Sequence, residues 1–171
     1  GHSEDACDFL REAGKQWNVE PGPSHYRLAL LSCVKDERED LKLGVVAMME
    51  RFNVPRRESI EKMVTLSSLL YRARNGVSKK EGVDLLLEEA EEIMHSLEKQ
   101  GIVPDRPLYN VAIETFSHLG AYRRALHFFE EMSLWSSSSS SEGSVRPIQP
   151  NQSSYMLAIE ASGNHFELEN V

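Results

Sequence analysis

The chain has 171 residues, of which 40% are hydrophobic, and its 19 Lys and Arg against 27 Asp and Glu give a net charge of −8. This length and composition suffice for a continuous hydrophobic core. A helix needs about 20 consecutive apolar residues to cross a membrane, and the sequence contains no such run. It therefore predicts no membrane-spanning helix within these residues.

Four Pro-x pairs recur along the chain, each preceded and followed by an apolar pattern of helical spacing. They are Pro21-Gly22, Pro55-Arg56, Pro104-Asp105 and Pro150-Asn151. These pairs divide the sequence into residues 1–22, 23–56, 57–105, 106–151 and 152–171. A unit of two short helices cannot bury its own apolar face and must stack on copies of itself. We therefore predict an all-α fold, an α-solenoid of stacked helix-turn-helix repeats that begins and ends in mid-repeat, as a segment of a larger protein would.

The first complete unit, 23–56, starts with a helix whose residues from Ser24 onward are mostly apolar. Such a composition predicts an inner helix packed on more than one side. Apolar residues at helical spacing from Leu41 to Phe52 indicate its second helix. Cys7 and Cys33 fall on different predicted helices among apolar neighbours, so we expect reduced core thiols rather than a disulfide.

The unit 57–105 contains two more periodic runs, from Ile60 to Leu70 and from Leu85 to Leu97. Residues 74–82 are expected to separate the two helices as an insertion. Gly101, followed by Pro104, predicts the end of the second helix, because Gly accepts the left-handed cap and Pro cannot continue a helix.

The unit 106–151 begins with Tyr109-Asn110, turns at Gly120 and continues into a second helix that contains Met132. Residues 133–148 form a Ser-rich insertion, which is expected to lie in a loop. The last segment, 152–171, carries apolar residues that predict the first half of a further repeat. They are Tyr155, Ala158, Ile159 and Ala161.

These motifs resemble the pentatricopeptide repeat, and the resemblance extends over nearly the whole chain. It is carried by Tyr109-Asn110, Gly120, Ala125-Leu126, Phe129-Glu130-Glu131-Met132 and Pro150-Asn151, and by Ala90-Glu91-Glu92-Ile93-Met94 with Gly101-Ile102-Val103-Pro104-Asp105. The Trp/Leu/Gly/Tyr pattern of the related tetratricopeptide repeat is not found. The resemblance implies a right-handed superhelix from a mitochondrial or chloroplast protein that binds single-stranded RNA, one base per repeat, and guides RNA processing, stability or translation.

The resemblance also implies which side chains contact RNA. In this family a base is read by the residue after the first-helix Tyr together with the last residue of the repeat. In the unit 106–151 these are Asn110 and Asn151, a pair that the family associates with pyrimidines, and their amides can both donate to and accept from a base edge. Arg27 and Arg56 hold the same positions in the unit 23–56 and are expected to contact the RNA backbone.

In the unit 57–105 the same two positions hold Glu61 and Asp105, which are not a recognised base-reading pair. The sequence also leaves open that Asn110 is only a helix-start residue beside a core Tyr. A second function stays open as well, because the first two units match the repeat poorly. In that function the chain is a helical-repeat adaptor for a protein partner, or a subunit of a ribonucleoprotein assembly, without base reading.

Net charge is the strongest objection to RNA binding, because affinity for RNA depends largely on neutralising phosphates with Lys and Arg. The acids are unevenly placed, since residues 80–99 hold seven acids and two lysines. The first helices of the units hold four acids and seven basic residues, namely Arg27, Lys35, Arg57, Lys62, Arg72, Arg74 and Arg106. We therefore expect the acids to lie mostly on the convex side and the groove to be mildly basic.

Catalytic and cofactor sites find no support in the sequence. The histidines are scattered among the predicted helices with no pair at ligand spacing, which predicts no metal site. The sequence contains neither a glycine-rich phosphate loop nor a nucleophile elbow. We therefore expect no enzyme, no cofactor, no catalytic residue and no small-molecule substrate.

Overall fold

The structure, a computed structural model, describes residues 2–16, 20–55, 57–76, 80–137 and 148–169. Every regular element in these ranges is an α-helix, which confirms the predicted all-α class. The helices are α1 (His2–Gln16), α2 (Pro23–Lys35), α3 (Glu39–Arg51), α4 (Arg57–Gly76), α5 (Lys80–Lys99), α6 (Arg106–His118), α7 (Tyr122–Ser137) and α8 (Gln152–Glu169).

The chain forms two compact units, residues 1–68 and 69–171. In the first unit α1, α2 and α3 each pack on the other two. Their contacts bury one face of α2, which carries Tyr26, Ala29, Leu30 and Cys33. Leu28 remains 60% exposed. The expectation that α2 is packed on more than one side therefore fails at Leu28.

The two cysteines lie in the core of the first unit as buried free thiols. Burial, together with the neighbouring Cys7 thiol, raises the pKa of Cys33 to about 12. Because the thiolate is the nucleophilic form of cysteine, Cys33 is a poor nucleophile in the folded chain. The structure therefore confirms the prediction that both cysteines are reduced core residues.

In the second unit α6, α7 and α8 each pack on the other two, and α5 packs on α6. Phe116 and Phe128 form the aromatic centre of this packing, with ring centroids 5.0 Å apart and ring planes tilted by 55°. Small residues allow the helices to approach closely around them. These are Ala112, Ala125, Ala158 and Ala161, all buried.

Four helices end in the same hydrogen-bonded turn. After α5, Ile102 N–H donates to the Leu97 carbonyl at 2.9 Å, and Gly101 adopts a left-handed φ of 67°. This is the Schellman motif, in which a left-handed residue satisfies the last carbonyls of a helix, and it confirms the predicted end at Gly101. The ends of α2, α3 and α6 repeat it, with Glu37, Asn53 and Gly120 as the left-handed residues.

Three of the four Pro-x pairs stand immediately before helices α2, α6 and α8, and Arg56 of the fourth lies outside the described residues. The segment 74–82 differs from its expected role as a connection, because residues 74–76 belong to α4 and residues 80–82 to α5. The first residues of the Ser-rich insertion 133–148 are also helical, since α7 extends to Ser137. Residues 138–147 of that insertion lie outside the described part of the chain.

Candidate nucleic-acid interface

Asn151 precedes the first residue of α8 and caps that helix. Its Oδ1 accepts a hydrogen bond from Ser154 N–H at 3.0 Å, and its own N–H donates to Ser154 Oγ at 3.1 Å. These reciprocal bonds make a capping box, with Ser in the place that Glu or Gln usually holds. The side chain of Asn151 is therefore held in place by the start of the helix.

Asn110, near the start of α6, contacts both residues of this cap. Ser154 Oγ donates to Asn110 Oδ1 at 2.7 Å, and Asn110 Nδ2 lies 3.5 Å from Asn151 Oδ1, at the outer limit of a hydrogen bond. The fold therefore brings the two predicted base-reading residues together, although they are 41 positions apart in the sequence. We call Asn110, Asn151 and Ser154 the amide cluster.

The amide cluster leaves hydrogen-bond donors available. Both carbonyl oxygens accept bonds within the cluster, whereas Asn151 Nδ2 has no partner in the described residues. Among the described residues, Asn110 Nδ2 has only the 3.5 Å contact with Asn151 Oδ1. Asn151 is exposed and Asn110 half-buried, so their amino groups can donate to a ligand. An amide nitrogen carries two N–H groups, which gives the pair a donor-rich surface.

Tyr109 fixes the helix that presents Asn110. Its side chain is 2% exposed, as is that of Tyr26, which holds the same position in α2. Tyr155 holds this position in α8 but is 54% exposed, with its ring edge-on to Phe129 at 5.4 Å. Asn110 thus follows a core Tyr, as the repeat pattern predicts.

Charges near the amide cluster are largely paired. Glu114, one turn beyond Asn110 on α6, accepts a bond from Arg74 Nη2 at 2.6 Å. Arg106, at the start of α6, has Nη1 3.4 Å from the Gln149 carbonyl. The acid that lies nearest to Asn110 along the helix is therefore neutralised by a cation.

Ion pairs reduce the basic excess that the sequence predicted for the groove. Within the described part of the chain, three of the seven basic residues counted there are paired with acids. The pairs are Arg57–Glu50 at 2.9 Å, Arg72–Glu89 at 3.0 Å and Arg74–Glu114 at 2.6 Å. Arg72 in particular pairs with an acid of α5, the helix expected to carry acids on the convex side. A mildly basic groove stays a prediction.

The remaining predicted residues have more ordinary surroundings. Arg27 is half-buried on α2, and Arg56 lies outside the described residues, so the expected role of this pair stays a prediction. Glu61 forms an ion pair with Arg57 at 3.4 Å. Asp105 caps α6 by accepting from Leu108 N–H at 3.1 Å, which is the usual role of Asp at a helix start.

Sequence reasoning missed Ser154, which is fully buried and bonds to both amides. The available signal was the pattern Asn151-x-x-Ser154, a capping residue followed three positions later by a second polar residue. That pattern identifies the cap. It gives no indication of the contact with Asn110.

Neither a metal-binding site nor a membrane-spanning helix is found among the described residues. In these ranges no group of three or more His, Cys, Asp and Glu side chains is placed to hold a metal ion. No helix among them is long and apolar enough to span a membrane.

Comparison with known proteins does not assign this chain to a family. No protein-family model matches the sequence, and no curated protein matches it either. Any function of the chain is therefore inferred from its own residues.

Proposed function

We propose that this chain is a segment of a pentatricopeptide-type α-solenoid that binds single-stranded RNA in mitochondria or chloroplasts and guides RNA processing, stability or translation. The observation that carries the proposal is the meeting of Asn110 and Asn151 in one hydrogen-bonded cluster. One belongs to the first helix of a unit and the other ends the same unit. Two residues that read one base must lie close enough to reach it together.

Helix packing supports the repeat architecture. The complete units 23–56, 57–105 and 106–151 each contain two helices. Within each compact unit, the described helices that pack together are adjacent in the chain or separated by one helix. Packing restricted to close neighbours in sequence is typical of repeat proteins, in which each repeat contacts only adjacent ones.

The chemistry of the pair supports a pyrimidine as its ligand. Cytosine and uracil both carry an acceptor oxygen at O2, which an amide N–H can bind. Single-stranded RNA exposes such base edges because its bases are not paired. A short Asn side chain held by a helix cap is pre-positioned for this contact, which lowers the entropy lost on binding.

The test is the RNA affinity of Asn110→Ala, measured by fluorescence anisotropy with pyrimidine-rich single-stranded RNA at low salt. Loss of a base-edge contact costs about 1–3 kcal/mol, so we expect affinity to fall by a factor of about 5 to about 150. Asn75→Ala is the control, because the bond of Asn75 among the described residues is to the Tyr71 carbonyl of its own helix. Equal binding by wild type and Asn110→Ala would rule out base reading by this residue.

A specific observation favours the adaptor as a second candidate. Tyr155 and Met156 lie four and three residues before Ile159 on α8, and the three side chains are 54%, 61% and 71% exposed. Met156 holds the position of Asn110 but has no group to bond a base. Exposed apolar patches mark protein contacts. In this function Ile159→Glu abolishes co-purification of a protein partner with the chain, whereas Asn110→Ala leaves it intact.

A further inference from the structure

We infer that Ser154 is a positioning residue that sets base preference, because it turns the carbonyls of Asn110 and Asn151 inward and leaves their N–H groups for RNA. The inference rests on the proposed function and deepens it. It assigns the amide cluster a donor–donor surface. Among the pyrimidines, the base with two adjacent acceptors is cytosine, which is therefore the expected ligand of such a surface.

The hydrogen bonds of Ser154 establish the orientation. Its Oγ lies 2.7 Å from Asn110 Oδ1 and 2.9 Å from Asn151 Oδ1. A hydroxyl has one proton, and the shorter distance assigns it to Asn110. Asn151 Oδ1 accepts instead from Ser154 N–H at 3.0 Å. Both carbonyls are therefore engaged by the same buried residue.

The bond from Ser154 to Asn110 is separate from the helix cap. Capping of α8 needs only the two reciprocal bonds between Asn151 and Ser154. The additional bond spans 44 positions of sequence and reaches an amide on another helix. Without it only the 3.5 Å contact with Asn151 Oδ1 orients the Asn110 amide, so that its carbonyl and its amino group can exchange places more easily.

Donor orientation distinguishes the two pyrimidines. Cytosine presents adjacent acceptors at O2 and N3, whereas uracil has a donor at N3 between its acceptors. Two N–H groups held side by side match cytosine and meet the uracil N3–H unfavourably. A rotated Asn110 amide offers an acceptor instead, which removes the distinction.

The experiment compares two single-stranded RNAs that differ by cytosine or uracil at one position in an otherwise constant sequence. Anisotropy titrations at low salt give the ratio of the two affinities. We expect wild type to prefer cytosine by about fivefold or more, the effect of one hydrogen bond of about 1 kcal/mol. Ser154→Ala is expected to bring the ratio close to one. Ser154→Thr, which keeps the hydroxyl, is expected to retain the preference.

Ser162→Ala is the matched control. Ser162 is a serine of the same helix, and its Oγ donates to the Ala158 carbonyl at 2.8 Å, away from the amide cluster. We expect this variant to keep the cytosine preference. A helical circular-dichroism spectrum of each variant shows that it is folded, and the ratio of two affinities is unaffected by a uniform loss of active protein.

The outcomes separate the two claims. If wild type binds neither RNA at low salt, the proposed function and this inference both fail. If wild type prefers cytosine through Asn110 and Ser154→Ala keeps that preference, the inference alone fails. Side-chain amide signals in 1H–15N spectra provide a readout without RNA. The Asn110 signals are expected to shift in Ser154→Ala and not in Ser162→Ala, and unchanged signals in both variants would also overturn the inference.

Discussion

Arg74 and Glu114 form an ion pair between α4 and α6, with Nη2 and Oε1 2.6 Å apart. Both side chains are partly exposed, and exposed pairs contribute little to stability. In the proposed RNA-binding function the pair has a further consequence, because Glu114 lies one turn beyond Asn110. Without Arg74, an unpaired carboxylate would face incoming phosphate.

Arg74→Ala is therefore expected to weaken RNA binding more than the removal of a positive charge far from the amide cluster does. Lys99→Ala, at the exposed end of α5, is the control for that loss. Anisotropy titrations at two salt concentrations measure the difference, which should shrink as salt screens the charges. Glu114→Gln combined with Arg74→Ala should restore part of the affinity. Equal weakening by Arg74→Ala and Lys99→Ala would contradict this account.

Asn151 has a structural role and a proposed binding role, and one substitution separates them. Asp in its place keeps the Oδ acceptor that caps α8 and adds a favourable negative charge at the helix start. It removes the amide N–H donors and would repel phosphate. We therefore expect Asn151→Asp to unfold at the same urea concentration as wild type or a slightly higher one, and to lose most RNA affinity.

Asn151→Ala completes the comparison because it removes both roles. Loss of a capping side chain costs about 1 kcal/mol, so its urea midpoint should fall along with its RNA affinity. If Asn151→Asp binds RNA as well as wild type does, the amide of Asn151 is not a base contact and only the capping role remains.

The sequence predicted those features of this chain that depend on neighbouring residues. Gly101 ends α5 as expected, because a left-handed cap is a local requirement that few residues other than Gly meet easily. The meeting of Asn110 and Asn151 could be proposed only through a family resemblance. Ser154 was missed because its bond to Asn110 depends on how α8 packs on α6. Leu28 also could not be predicted from local sequence. The apolar composition of α2 predicted that it is buried, but the way the helices pack leaves it 60% exposed.

Glu37 adopts a left-handed φ of 54° at the end of α2, in the turn where α5 and α6 use Gly. This conformation costs a residue with a Cβ about 1–2 kcal/mol, and Gly avoids that cost. Gly also has more conformational freedom to lose on folding, which offsets about 0.5–1 kcal/mol of the gain. We expect Glu37→Gly to raise the free energy of unfolding by about 0.5–1 kcal/mol, measured by urea denaturation. Glu37→Ala is the control, because it removes the side chain and keeps the strain, so an equal gain in both variants would exclude backbone strain as the cause.

Arg38 contributes to the acid sensitivity of the first unit. Its guanidinium lies 2.8 Å from Asp40 and 2.7 Å from Glu4, which lowers the pKa of Asp40 from 3.8 to about 2 and also lowers the pKa of Glu4. A carboxyl whose pKa is lower in the folded chain stabilises it at pH values above the unfolded pKa. That stabilisation is lost as pH falls from about 4 towards 2.

Arg38→Gln is therefore expected to weaken the pH dependence of stability in this range. Thermal unfolding of wild type and variant, followed by circular dichroism between pH 6 and pH 2, measures it. The two melting temperatures should differ most at pH 6 and converge below about pH 3, because the protonated carboxyls no longer attract the guanidinium. The difference should be small, since all three side chains are exposed to solvent and screened. Adding salt should reduce it further at pH 6, and a difference that instead grows towards low pH would show that Arg38 acts through packing rather than through these carboxylates.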